Sequence, residues 1–257
     1  MVIFTHRLFV LRQRSAKAIA VAQNPIHALS NTMKAKPILF NSEMVRALLD
    51  GRKTQTRRII KNPEYHGCLT GDCPHSNKKE CDQSLVEFAK ECPVGQVGDY
   101  LYVRETFRDM KNGNACYRAT VKVLRSIKWT PSIHMPRWAS RLTLKITDVR
   151  VERVQDISEE DSIAEGCYTN EQYTDKSGEE NVWPCRRCNG YQVHGAVGEN
   201  MGWTEVDCVL CDTAKKRFKQ LWDSLNDNWN ENPYVWVITF SVIHHNVDVV
   251  IEADKIF

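Results

Sequence analysis

No run of about 18 apolar residues occurs in the 257-residue chain, so no membrane-spanning helix is expected. Net charge is nearly absent too: 35 basic against 32 acidic residues give +3, too little for bulk electrostatics to point to a partner. Acidic residues are missing from the first 42 positions, the first being Glu43. Residues 1–32 carry Arg7, Arg12, Arg14 and Lys17, and the rest of the chain, 31 basic against 32 acidic, is net −1. This basic, serine-containing leader has the composition of an organelle transit peptide, and its apolar pieces are too short and too interrupted for a signal peptide. The plainer reading, preferred here, is an extension outside the fold, with Met33-Lys-Ala-Lys-Pro37 as a natural beginning. There is no internal repeat. An ordinary 42% hydrophobic content excludes wholesale disorder, and the length suits one elaborated domain.

Cysteine is plentiful, at ten residues, and its spacing is informative. Cys185-x-x-Cys188 and Cys208-x-x-Cys211 are two tight pairs separated by 19 residues. Each pair forms a knuckle that aims both sulfurs at one ion, and together they have the pattern of a four-thiolate zinc ribbon. Four protein ligands leave no open position, so the zinc is expected to be structural. Cys68, Cys73, His75 and Cys81 are a weaker candidate for a second site because their spacing is irregular. Cys116 and Cys167 stand alone and read as partly buried thiols.

The first ordered unit starts near Pro37. Pro37-Ile-Leu-Phe40 reads as a short strand, and Ser42 as the cap of a helix through Met44, Ala47 and Leu48 that Gly51 closes. Residues 62–97 and 167–213 read as loop-like, cysteine-bearing insertions. Tyr100–Arg104 is a strand after the turn at Gly98-Asp99, and Tyr117–Val123 is another candidate. From Arg141 the alternation of Leu142, Leu144 and Ile146 with Thr143, Lys145 and Thr147 is the clearest strand, continuing through Val151. Ser158 caps a short acidic helix, Glu159–Glu165, that Gly166 stops. Phe218, Leu221, Trp222 and Leu225 mark an amphipathic helix. Tyr234–Phe240 is apolar on both faces and reads as a central closing strand. Strands with long excursions and only short helices do not make βαβ units. They predict an α+β, mainly β fold: a small antiparallel barrel with short helices and insertions. The fold then spans 33–243, with 244–257 as a tail.

The segment Gly51-Arg-Lys-Thr-Gln-Thr-Arg-Arg58 gathers a lysine, two threonines and three arginines. A lysine withdrawn from water beside other cations has a lowered pKa and can accept a proton from a nearby hydroxyl. Gly51, Lys53, Thr56 and Arg58 after a short helix resemble the Gly-x-Lys-x-x-Thr-x-Arg signature of ASCH domains, which share the PUA-like barrel. Gly98-Asp99, Ala164-Glu165-Gly166 and Val235-Trp-Val-Ile-Thr-Phe240 agree in order. Cys92-Pro-Val-Gly95, Val103-Arg-Glu-Thr106, Ser132–Arg141, Val149–Arg153 and Leu221–Leu225 bring the pattern closest to phage and prophage ASCH proteins. The resemblance covers roughly residues 36–243.

That resemblance implies binding of RNA or a modified nucleoside, in the cytoplasm. It also implies, from a smaller bacterial branch, hydrolysis of the acetyl amide of acetylcytidine, with Lys53 as base, Thr56 as nucleophile and Glu165 as acid. Glu165, in the last turn of an acidic helix, suits the protonated form an acid needs. This chain is more than twice as long as that branch. Arg57, Arg58, Arg104, Arg137, Trp138 and Arg141 are candidates for contacts to phosphate or base. A docking role toward a phage protein is a third reading.

Overall fold

The computed structural model describes residues 35–63, 66–70, 74–75, 77–110, 113–121, 128–169, 171–172 and 208–255, and the main chain of 193–197 and 203–207. The basic leader, Cys73, Cys185 and Cys188 lie outside the described residues. In chain order the strands and helices are β1 (Ala35–Leu39), α1 (Ser42–Leu49), β2 (Gln55–Ile59), α2 (Gly67–Thr70), α3 (Lys78–Ala89), β3 (Tyr100–Arg104), β4 (Phe107–Asp109), β5 (Ala115–Tyr117), β6 (Thr143–Arg153), α4 (Glu159–Ala164), β7 (Val193–Val197), β8 (Trp203–Asp207), α5 (Ala214–Asn226), β9 (Tyr234–Ile243) and α6 (Val247–Asp254).

Five strands form one sheet in the order β1-β3-β6-β9-β2. The fold is α+β, as the sequence indicates, but the antiparallel barrel is corrected on two counts. β1 pairs with β3 in parallel, while the other three pairings are antiparallel. The sheet is also open, because β1 and β2 are edges that do not pair with each other. The Arg58 guanidinium reaches across, Nη2 lying 3.4 Å from the Leu39 carbonyl. Pro37 fits this arrangement. An edge strand accepts a residue without an N–H, and its presence discourages further strand pairing.

The long strands are those the sequence marks most clearly. β6 runs beside β9 over ten paired positions, interrupted by a bulge between Ile146 and Asp148. β9 is buried on both faces, which explains its unbroken apolar run. Trp236, Ile238 and Phe240 join Ile38, Phe40, Leu48, Leu101 and Leu144 in one core. Val235 and Val237 face a second core of Phe218, Leu221, Trp222 and Trp229, into which the apolar stripe of α5 packs.

Helix boundaries follow their caps. Asn41, rather than Ser42, caps α1, its side chain accepting from the Met44 N–H. Ser158 caps α4 by accepting from the Asp161 N–H. Two stretches are more regular than their composition suggests. Within 62–97, Asn77 and Glu80 form a reciprocal cap that starts the 12-residue α3. Within 244–257, Asn246 caps α6, and Val247 and Val250 pack on Tyr100. Of the candidate strand Tyr117–Val123, Tyr117 ends β5, which pairs with β4, and Arg118–Thr120 form a turn; residues 122–123 lie outside the described residues.

Candidate functional site

Two glycines bring the site together. Gly51 has φ +74°, which ends α1 and reverses the chain, so that the Lys53 N–H bonds to the Ala47 carbonyl at 3.0 Å. Gly166, at φ +101°, ends α4 against the same spot. A Cβ there would lie 2.9 Å from Ala47 Cβ and 3.3 Å from Lys53 Cβ. The Thr54 N–H bonds to the Ala164 carbonyl at 2.9 Å, stitching the start of β2 to the end of α4.

Lys53 is wholly buried. Its Nζ donates to the Gln55 carbonyl (2.8 Å), the Glu165 carbonyl (2.7 Å) and Glu165 Oε2 (2.9 Å). Three acceptors take up the three N–H bonds of an ammonium. Burial draws the lysine pKa below its ordinary value, against the pull of Glu165. Glu165, also buried, accepts from Arg57 Nη1 through its other oxygen, at 3.1 Å. The groups bonded to its carboxylate are therefore cations, not the acidic residues of its own helix.

Arg57 continues the network. Its Nη2 donates to Glu152 (3.0 Å) and Asp161 (2.8 Å). Arg150 donates to the same two carboxylates, at 2.6 and 2.7 Å. Strand register explains this sharing, because Arg57 and Arg150 flank Val237 of β9 in one cross-strand row. Burial pushes the Asp161 pKa up, but the two arginines more than offset it and hold it below its usual value. Glu152, Asp161 and Arg150 are absent from the sequence-based site. Their signal was the alternation of Arg150 and Glu152 along one strand, which becomes legible only once β9 is known to separate it from Arg57.

Thr56 is buried, and its Oγ1 accepts from Arg58 Nη1 at 2.9 Å. Alternation along β2 puts Thr56 and Arg58 on one face and Gln55 and Arg57 on the other. Thr56, Arg57, Arg58 and Glu165 all line one cleft of about 1220 Å³ between the β1 and β2 edges, walled by Phe40, Trp236 and Trp222. Lys53 lies behind Glu165, 5.4 Å from the centre of the Phe40 ring.

The remaining predicted contact residues lie outside this lining. Arg141 forms a bidentate pair with buried Glu105 (2.8 and 3.0 Å) and stacks 4.0 Å from the Tyr117 ring centre. Burial raises the Glu105 pKa, against the opposing pull of Arg141. Arg137 pairs with Asp248 at 2.7 Å, and Arg104 donates to the Ile133 carbonyl. Trp138 is exposed.

Of the zinc ligands expected from the spacing, Cys208 and Cys211 are described. Both are buried, with the Cys211 N–H 3.5 Å from the Cys208 carbonyl in a tight turn ahead of α5. The β7–β8 hairpin pairs Val193 with Asp207. Cys208 follows directly on Asp207, the last paired residue of β8. Among the described residues no group of three or more His, Cys, Asp or Glu converges as a metal site, so Cys68, His75 and Cys81 do not form one together. Among the described residues no helix is long and apolar enough to cross a membrane.

Comparison with family models, with curated proteins and with solved structures finds no match to this chain.

Proposed function

We propose that the chain is an ASCH-type recognition module, on a PUA-like sheet left open at its ligand cleft, that binds RNA or a modified nucleoside. The observation that carries this reading is that Thr56, Arg57, Arg58 and Glu165 all border one cleft with aromatic walls. A few fixed polar groups in an apolar cleft suit a flat, hydrogen-bonding base. Lys53 then acts as a buried anchor, because its three N–H bonds are already spent on Gln55 and Glu165. Titration with acetylcytidine and a short RNA at low salt, read by tryptophan fluorescence, tests it, since Trp236 and Trp222 line the cleft. Saturable quenching is expected. No response to either probe, with none by calorimetry, refutes it.

One observation favours amide hydrolysis as a second reading: Glu165 bonds Lys53 at 2.9 Å and shares the cleft with Thr56. Within the pair Lys53 would first pass a proton to Glu165, and the neutral amine would then take the Thr56 proton as Thr56 attacks the acyl carbon. Glu165 would protonate the departing amine, and water would release the acyl group. Cytidine formation from acetylcytidine that Thr56→Ala abolishes would establish this reading over simple recognition.

A further inference from the structure

The charges around the cleft are not balanced. Its lining includes four cations, Lys36, Arg57, Arg58 and Lys61, against two carboxylates, Glu91 and Glu165. Glu165 is already compensated by Lys53 and Arg57, and Arg57 is held by three carboxylates. Arg58 differs. Among the described residues its guanidinium donates to neutral oxygens: Thr56 Oγ1 at 2.9 Å, the Arg57 carbonyl at 2.9 Å and the Leu39 carbonyl at 3.4 Å. Among the described residues no carboxylate lies within 4.0 Å of it, and Glu165, already paired with Lys53 and Arg57, acts on it from farther away.

We infer that the cleft takes its nucleoside in phosphorylated form, with Arg58 holding a phosphate. This rests on the recognition reading above and names the chemical form of its ligand. A guanidinium spans two phosphate oxygens in a planar fork, and the apolar wall of Phe40, 5.5 Å from Arg58 Cζ, strengthens the field at that point. The long contact to Leu39 is the one a phosphate exchanges most readily. That contact bridges the two unpaired sheet edges, so the phosphate sits where the sheet is open. Arg58 lies opposite Trp236 across β2 and β9, and both line the cleft, so one tryptophan reports on the occupied cation. The phosphate belongs either to a free mononucleotide or to the backbone of a strand, and the chemistry at Arg58 is the same.

The test is to titrate the full chain with acetylcytidine, with its 5′-monophosphate, and with a cytidine dinucleotide lacking a terminal phosphate. The better of the two phosphate-bearing probes is expected to bind roughly tenfold tighter than the nucleoside, with the advantage shrinking as salt rises. A tighter monophosphate identifies a mononucleotide, and a tighter dinucleotide identifies a strand. Arg58→Met should bring the ratio of phosphorylated to plain ligand close to one, while Arg58→Lys keeps part of it. Equal affinity for all three probes, or a ratio untouched by Arg58→Met, overturns the inference and leaves base recognition standing. Binding of none of the probes overturns both. Should Arg58→Met fail to fold, the wild-type protein decides: a ratio insensitive to salt refutes a charge-held phosphate.

Discussion

Replacing Glu165 by glutamine keeps the shape of the side chain and changes only its charge and one acceptor. In the wild type each carboxylate oxygen serves a different cation, Oε2 accepting from Lys53 and Oε1 from Arg57. An amide supplies one acceptor oxygen, so its NH2 group must face the other cation. Lys53 is fully buried, with none of its side chain exposed to solvent. Breaking a buried pair on one side costs about 3–5 kcal/mol, because a charge is left without its counterion. For a chain of this size that lowers the melting temperature by roughly 6–20 °C, at about 2–4 °C per kcal/mol. Glu87→Gln is the control. Its pair with Lys90 is about two-thirds exposed on both sides, and such pairs contribute about 0.2–1 kcal/mol. Thermal and urea unfolding followed by circular dichroism measure both variants. Adding Lys53→Met to Glu165→Gln removes the stranded ammonium, so the double variant should be more stable than Glu165→Gln alone. A Glu165→Gln loss no larger than that of Glu87→Gln, or no recovery in the double variant, refutes the picture of a buried, charge-compensated anchor.

Other expectations are simpler. Gly166→Ala should cost about 1–3 kcal/mol and more than Gly51→Ala, since both have positive φ but only Gly166 meets another Cβ, at 2.9 Å; equal losses on unfolding would count against the close approach. Burial, and then Glu165, push the Cys167 thiol up to about 12. At pH 8 the thiolate is only about one part in ten thousand, so iodoacetamide should label half-buried Cys116 in the native protein and Cys167 only on unfolding. Peptide mass spectrometry checks this, and native labelling of both at one rate would contradict it. Elemental analysis should find about one zinc ion per chain, lost in Cys208→Ser or Cys211→Ser; metal-free protein folded to the same stability would exclude the ribbon.

Much of the local structure was legible because it depends on near neighbours. The alternation after Leu142 marked β6, and the double-sided apolar run marked β9. Ser158 and Gly166 bounded α4. The clustering of Lys53, Thr56 and Arg58 in one short segment was likewise plain. Helix α3, within residues 62–97, is not legible locally because its apolar face is slight and its start depends on the Asn77–Glu80 cap. The arginines could not be sorted by sequence. All are basic residues near aromatics, yet Arg57 is locked among carboxylates, Arg58 faces the cleft, and Arg141 is paired with Glu105.

The sequence by itself determined periods, caps and turns, which are set within a few residues. It also determined the absences with which it is most easily described: no long apolar run and little net charge. Only the tertiary structure decided that Lys53 meets Glu165, 112 residues away, and that Arg57 shares carboxylates with Arg150 across β9. It also decided that the sheet stays open between β1 and β2. Such contacts depend on which strands pair, in which direction and in what register, and no local pattern encodes that choice. The cleft exists because two edges approach without pairing, so it belongs to the fold rather than to any segment of the chain.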